Sequence, residues 1–244
     1  MKRFFLWISL LLAFSLACKE RTEKQSNSGG ITNKYERLRY DMVRTQIERR
    51  GVKDEQVLNA MRNVPRHKFV PTSLKEYAYR DQPLPIGANQ TISQPYIVAY
   101  MTEALEPSKE DKVLEIGTGS AYQAAVLAEI VNEVYTIEII PELAEQAQKQ
   151  LQQMKYSNVH VRCADGYKGW PEEAPFDGII VTAAPDHIPQ PLIEQLKPGG
   201  RMIIPVGSGY QELILITKSD DGKIKKQTLL PVRFVPMTGQ AEKN

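Results

Sequence analysis

Cysteine is nearly absent. The 244 residues hold two, Cys18 and Cys163, which excludes a disulfide-built scaffold and a cysteine-rich zinc site. Histidine is almost as scarce: His67, His160 and His187 are scattered without metal-ligand spacing, so no metal is expected. Excess charge of either sign is also missing. Lys and Arg number 31 against 29 Asp and Glu, a net +2, and no basic run carries interleaved aromatics. Nucleic acid is therefore not an expected partner. The apolar stretch from Phe4 to Phe14 is too short to span a bilayer comfortably as a permanent helix. What remains is an ordinary globular composition, 42% hydrophobic and 25% charged, with enough length to bury a core in one domain.

The first residues differ from the rest. Lys2 and Arg3 precede the apolar run, and Ser15-Leu16-Ala17-Cys18 follows it. A positive start, a short apolar stretch and small residues at its end describe an export signal over residues 1–17. Ser15-x-Ala17 suits ordinary cleavage, while Cys18 after Ala17 leaves open a lipid anchor of the bacterial lipoprotein type. Exported protein would reside in the periplasm or on its membranes; with the signal unused it would be cytoplasmic. Residues 18–33, polar and rich in Ser, Asn and Gly, are expected to form a flexible tether.

Residues 34–240 carry the pattern of a single domain, expected to act as a monomer. Tyr35 to Arg50 spaces Leu38, Met42 and Ile47 as a helix does. Asp54 is a natural N-cap for a second helix to Asn63, with Val57, Leu58 and Met61 facing inward and Pro65 ending it. Pro83 to Pro95 has no periodicity and is expected to be a long loop, and long ordered loops are often functional. Pro95 to Leu105 is then helical, with Pro at its first position. From there strands and helices alternate. Strands are expected at Lys112–Ile116, Glu133–Glu138, Val159–Cys163 and Gly178–Thr182, with helices at Ala121–Ile130, Pro141–Met154 and Pro191–Leu196. Lys197-Pro198-Gly199-Gly200 is expected to turn into a strand from Arg201 to Pro205. A hairpin then joins Glu212–Lys218 to Lys225–Leu230 through Asp220-Asp221-Gly222. The fold class is α/β: a doubly wound, Rossmann-like sheet, mostly parallel, with an antiparallel C-terminal hairpin and N-terminal helices.

Val113-Leu114-Glu115-Ile116-Gly117-Thr118-Gly119-Ser120-Ala121 carries the strongest chemical signal. Here a strand runs into glycines and directly into a helix. Gly117 and Gly119 permit a tight turn and close backbone approach to a ligand, with Thr118 between them. Dinucleotide enzymes share such a turn, so the acids decide. A pyrophosphate gains nothing from Glu115 so near its charges, whereas an amino-acid ammonium can be received there through bridging contacts. Glu138, with Ile139 beside it, ends the next strand, where a carboxylate can accept both ribose hydroxyls. Asp165-Gly166, past the third strand, reaches the same crevice, where a carboxylate can accept an adenine amino group. Three acids at three successive strand ends favour S-adenosylmethionine as cofactor.

At this point the residues resemble those of protein-L-isoaspartate O-methyltransferases. Val113 to Ala128 is similar to that family's cofactor motif. Phe69-Val70-Pro71, Gln90-Thr91-Ile92-Ser93-Gln94-Pro95 and Val232 to Gly239 (VRFVPMTG) are similar to other segments of the family. The resemblance spans Tyr35 to Gly239. Many methyltransferases share the cofactor motif, but the Thr-Ile-Ser-x-Pro loop and Arg-Phe-Val-Pro-Met-Thr-Gly segment belong to this family. Two features depart from it. Ala121 stands where the family usually has glycine, a position that serves close helix packing and accepts Ala, and family members are generally cytosolic. The resemblance implies protein-L-isoaspartate(D-aspartate) O-methyltransferase activity: methyl transfer to the α-carboxylate of L-isoaspartyl residues in damaged proteins, whose ester collapses to a succinimide on the way to repair. It further implies that Ser93 orients that carboxylate, that Gln90, Thr91 and Ile92 line the cleft, and that Thr238 closes over the cofactor.

Other readings stand beside this one. A methyltransferase of the same fold acting on a small molecule is one. Another is an exported, non-catalytic S-adenosylmethionine-binding module, motivated by the cytosolic supply of that cofactor. A nicotinamide-dependent dehydrogenase is disfavoured by Glu115. A second role for Ser93, as N-cap of the helix at Pro95, is compatible with the first. His187 is expected at the surface near the cleft mouth, Tyr167 and Trp170 as packing residues on the adenine side, and Cys163 as a small buried hydrophobe.

Overall fold

In a computed structural model, residues 33–242 are described. The expected signal segment and almost all of the tether lie outside them. Lys34–Met42 forms α1, and the chain continues as a π-helical turn over Val43–Ile47 and a 3-10 turn over Glu48–Arg50. A regular helix over this stretch was the expectation. The wider turn puts Met42, Val43 and Ile47 all in the core, because residues five apart share a face at the π period. Asp54 caps α2 (Glu55–Asn63) as its sequence position implies, accepting from the backbone N–H groups of Gln56 and Val57, a cap of about 1 kcal/mol. Val57, Leu58, Ala60 and Met61 form the buried face of α2.

The stretch expected to be a loop contains a small antiparallel hairpin, β1 (Leu84–Gly87) with β2 (Gln90–Ile92). Ala88 and Asn89 turn it with φ of +48° and +57°, the mirror-image turn that matches strand twist. Next come α3 (Pro95–Leu105), β3 (Lys112–Ile116), α4 (Tyr122–Ala128), β4 (Glu133–Glu138), α5 (Pro141–Gln153) and β5 (Val159–Cys163). The chain ends with β6 (Phe176–Val181), α6 (Gln190–Gln195), β7 (Leu196–Val206), β8 (Gln211–Lys218) and β9 (Ile224–Val232). Lys197 to Gly200 does not end a segment. It is a bulge inside β7, where pairing jumps from Phe176↔Leu196 to Gly178↔Arg201.

Seven strands form one sheet in the order β5-β4-β3-β6-β7-β8-β9. The first five are parallel and the last two antiparallel. Apolar side chains alternate between the two faces: Val113, Ile180 and Ile203 join one core, and Leu114, Ile179 and Met202 the other. Both faces are thus covered, which is why these strands are apolar at nearly every position. Cys163, expected inside, is exposed. It ends β5, the edge strand of the sheet, where less packs against it.

Candidate active site

Strand register builds the site. Ile116 of β3 lies opposite Ile137 of β4 and Val181 of β6, so the next residues, Gly117, Glu138 and Thr182, emerge together at the carboxyl edge. The chain winds to one side of β3 through β4 and to the other through β6. A crevice opens at that switch point. It is lined by the ends of β3 and β4, the residues just past β6, the β1–β2 hairpin and the segment from Val235 to Thr238.

Gly117 turns the chain with φ of +96°, and the Gly117 and Thr118 N–H groups both donate to the Ile137 carbonyl, at 2.8 and 3.2 Å. The Thr182 hydroxyl lies 2.7 Å from the Gly117 carbonyl. A side chain on Gly117 would begin 2.5 Å from that hydroxyl. Glu138, 5% exposed, accepts from Gly119 N–H at 2.8 Å and Ile140 N–H at 3.0 Å. Each of its oxygens keeps acceptor capacity, and it lines the crevice. Ala121 has φ of +66°. The demand at this position is therefore a left-handed backbone rather than packing alone, and Ala meets it at about 1–2 kcal/mol of local strain.

Glu115 is completely buried and does not line the crevice. Strand alternation explains this: with Val113 it points into the face covered by α3 and α4, not toward the strand ends. Its Oε2 accepts from the Thr136 hydroxyl at 2.5 Å, which pairs in turn with the Thr118 hydroxyl at 2.7 Å. Thus Glu115 reaches the glycine turn through two hydroxyls, while Oε1 has no hydrogen-bond partner among the described residues. Burial above all, with a smaller contribution from the Glu138 charge, pushes its carboxyl up to about 8 against the opposing Thr136 bond.

On the acceptor side, the β1–β2 hairpin brings Gln90 and Thr91 to the crevice wall. Ile92 turns the other way and is buried in the core, so it does not line the cleft. Ser93, half-buried, follows just past the end of β2. It does not cap α3: Gln94 occupies that position and makes no side-chain cap bond. Among the described residues no hydrogen bond to the Ser93 hydroxyl is found, whereas its carbonyl accepts from Arg66.

The C-terminal segment roofs the crevice. Ala184, just past β6, donates to Val235 O and accepts from Met237 N–H, each at 2.8 Å. Beyond it, Asp165 Oδ2 accepts from Gln240 N–H at 2.9 Å, while Asp165 Oδ1 accepts from Tyr167 N–H at 3.0 Å. Asp165 therefore fastens the roof and lies outside the lining, and Gly166 beside it is in the lining. Gly239 has φ of +87°, and a Cβ there would stand 2.9 Å from Asp165 Oδ2. Thr238 hangs into the crevice between these anchors.

Of the residues expected at the site, Gln90, Thr91, Gly117, Gly119, Glu138, Ile139, Gly166 and Thr238 line one crevice. Ser93, Ile92, Glu115, Thr118 and Asp165 stand behind or beside it. Thr182, Ala183 and Pro236 line it unanticipated; the rule that residues just past strand ends face the crevice would have found Thr182. Tyr167 is buried, and its hydroxyl is 2.9 Å from His187 Nε2. His187 is partly exposed and also held by Asp186 at 2.5 Å. Trp170 packs edge-on to Tyr135 at 5.3 Å. Among the described residues no group of three or more His, Cys, Asp or Glu is arranged to hold a metal ion.

Relatives share this construction. Protein-L-isoaspartate O-methyltransferase 2 of Shewanella sediminis is 51% identical over 246 residues, covering all of this chain and 98% of its own. The protein-L-isoaspartate O-methyltransferase of Picosynechococcus sp. is 55% identical over 204 residues, covering 84% of this chain and 91% of its own. A solved protein-L-isoaspartate O-methyltransferase superposes with a TM-score of 0.74 at 31% identity, over 85% of this chain and 67% of that one. A putative Plasmodium falciparum protein-L-isoaspartate O-methyltransferase, solved with S-adenosyl-L-homocysteine, gives 0.70 at 26% identity, over 82% and 98%. The family model for protein-L-isoaspartate(D-aspartate) O-methyltransferase matches residues 37–242. Because that match runs through every strand and turn that shapes the crevice, the chain belongs to the protein-L-isoaspartate(D-aspartate) O-methyltransferase family.

Proposed function

We propose that Ser93 orients the acceptor carboxylate in the reaction this enzyme performs, methyl transfer from S-adenosylmethionine to L-isoaspartyl residues of damaged proteins. A carboxylate oxygen attacks the methyl carbon, the carbon–sulfur bond breaks, and its electron pair stays on sulfur. Methyl ester and S-adenosylhomocysteine result. The nucleophile is already an anion and the leaving group a neutral thioether, so no base is required. Charge is neutralised along the path, and water around the reactants opposes it; alignment and desolvation supply the rate. In the cofactor half, the Gly117–Gly119 turn receives the aminoacyl end, Glu138 the ribose, Ile139 and Gly166 flank the adenine, and Thr238 covers it.

The place of Ser93 beside the crevice wall supports the reading. It is half-buried two residues after Thr91, which lines the crevice, and among the described residues its hydroxyl has no hydrogen-bond partner. Transfer of labelled methyl to an isoaspartyl peptide, with the aspartyl peptide as control, tests it. Ser93→Ala is expected to lower kcat/KM about ten- to a hundredfold, about 1.4–2.7 kcal/mol of transition-state stabilisation. Affinity for S-adenosylmethionine should stay unchanged. A variant with full kcat/KM would remove Ser93 from the reaction.

The reading extends to an exported enzyme acting as a monomer. Lys2-Arg3, the apolar run and Ser15-x-Ala17 support export, and the Shewanella sediminis relative aligns with all of this chain, these residues included. Fractionation of cells making the full chain is expected to find it outside the cytoplasm with residues 1–17 removed. Mass spectrometry of the new N-terminus separates free from acylated Cys18. Uncleaved protein in the cytoplasm would end the export reading.

A further inference from the structure

We infer that Arg66 is a positioning residue for methyl transfer: it fastens the Ser93 carbonyl and thereby sets the acceptor hairpin against the cofactor turn. This rests on the role given to Ser93 above. Arg66 is fully buried. Its Nε donates to Ala78 O at 2.8 Å and its Nη2 to Ser93 O at 2.7 Å. The guanidinium also lies 4.8 Å from the ring centroid of Tyr122, the first residue of the helix that leaves the cofactor turn. One side chain therefore touches three places: the base at Ala78, the acceptor residue Ser93, and the start of α4. The same base holds the next residue as well, because the Gln94 amide donates to Asp81 O at 3.2 Å.

Packing alone does not account for an arginine here. Burial lowers its pKa to about 10, so it enters the core charged at neutral pH. Among the described residues its Nη1 finds no hydrogen-bond partner, and neither does the buried Oδ1 of Asp81. An apolar side chain of similar volume would avoid that desolvation. What it could not do is hold two carbonyls fifteen residues apart in one fixed fork, the geometry that distinguishes guanidinium from ammonium or amide. The alignment this provides matters most in a reaction whose rate comes from placement of reactants.

The test compares Arg66→Gln, Arg66→Lys, Ser93→Ala and the Arg66→Gln/Ser93→Ala double variant in the intact enzyme. For each, S-adenosylmethionine affinity, kcat, KM for an isoaspartyl peptide, and melting temperature are measured. Arg66→Gln is expected to lower kcat/KM about tenfold or more, with cofactor affinity held within about twofold. Arg66→Lys should recover part of the loss, and the double variant should be no worse than Ser93→Ala. Val57→Ala, a buried change in α2, controls for stability and should keep kcat/KM at a comparable drop in melting temperature. Full activity in Arg66→Gln, a parallel loss of cofactor affinity, or additive losses in the double variant would overturn the inference. Hydrogen exchange over residues 90–96 separates the two readings. If Ser93→Ala is fully active, the role of the hydroxyl fails. Faster exchange in Arg66→Gln would still support Arg66 as the fastener of this segment, and unchanged exchange would overturn that too.

Discussion

Replacing Glu138 by alanine is expected to weaken S-adenosylmethionine binding at least about a hundredfold. The carboxylate does two jobs from one buried position. It accepts the N–H groups of Gly119 and Ile140, which hold the end of the glycine turn to the end of β4. It also lines the crevice with acceptor capacity to spare, enough for the two vicinal ribose hydroxyls proposed to bind there. Hydrogen bonds to a charged, desolvated acceptor are worth about 1.5–3 kcal/mol each, and about 2.7 kcal/mol suffices for a hundredfold. Alanine also leaves Gly119 N–H without its acceptor. Glu138→Gln keeps one acceptor but turns an NH2 group toward an N–H donor, so most of the affinity should go with it. Titration calorimetry of both variants measures the loss. Binding within tenfold of wild type would show that the ribose is held elsewhere.

The sequence makes legible what depends on neighbours along the chain. Asp54 before an amphipathic run caps α2, Pro95 opens α3, and the apolar runs of β3, β4 and β5 begin and end where expected. Gly117, Gly119, Glu138 and Gly166 share one crevice because parallel register aligns strand ends, and strand ends can be read from a sequence. The β1–β2 hairpin was hidden because strands of four and three residues are too short to show alternation, and its turn carries Ala88-Asn89 in place of the usual Asn-Gly. The direction of Glu115 was available from its parity with Val113. Nearness to the glycines suggested the crevice, and pleating sent the side chain the other way. The bonds that give Asp165 and Arg66 their places span 75 and 27 residues. No local pattern encodes such contacts; they follow only once the sheet is assembled.

Glu115→Gln is expected to stabilise the cofactor-free enzyme by about 5 kcal/mol at pH 8.5 relative to its effect at pH 4. In the folded chain the carboxyl titrates at about 8, against an ordinary value of 4.5. Below pH 4.5 both folded and unfolded chains carry the proton, and the residue makes no pH-dependent contribution. Between 4.5 and 8 the unfolded chain has released it while the folded chain still holds it. Stability therefore falls as pH rises, and it levels off above about 8. A displacement of this size corresponds to about 5 kcal/mol in order of magnitude, at about 1.36 kcal/mol per pH unit. Glutamine keeps the shape and a partner for Thr136 but has no proton to lose, so its excess stability grows through that window. Urea unfolding of both proteins from pH 4 to 9 measures the difference, and titrations common to the two cancel. Cofactor binding should show the opposite slope. A protonated amino group near the Thr118–Thr136–Glu115 chain favours the carboxylate, so S-adenosylmethionine binding releases a proton and tightens as pH rises toward 8. Above that the cofactor's own amine, with an ordinary α-amino pKa of roughly 7.7–8.0, loses its charge and affinity turns down. Glu115→Gln should lack the rising limb and keep only the fall. Parallel stability curves for the two proteins would mean that Glu115 is ionised in the fold at neutral pH, with its unpartnered oxygen solvated.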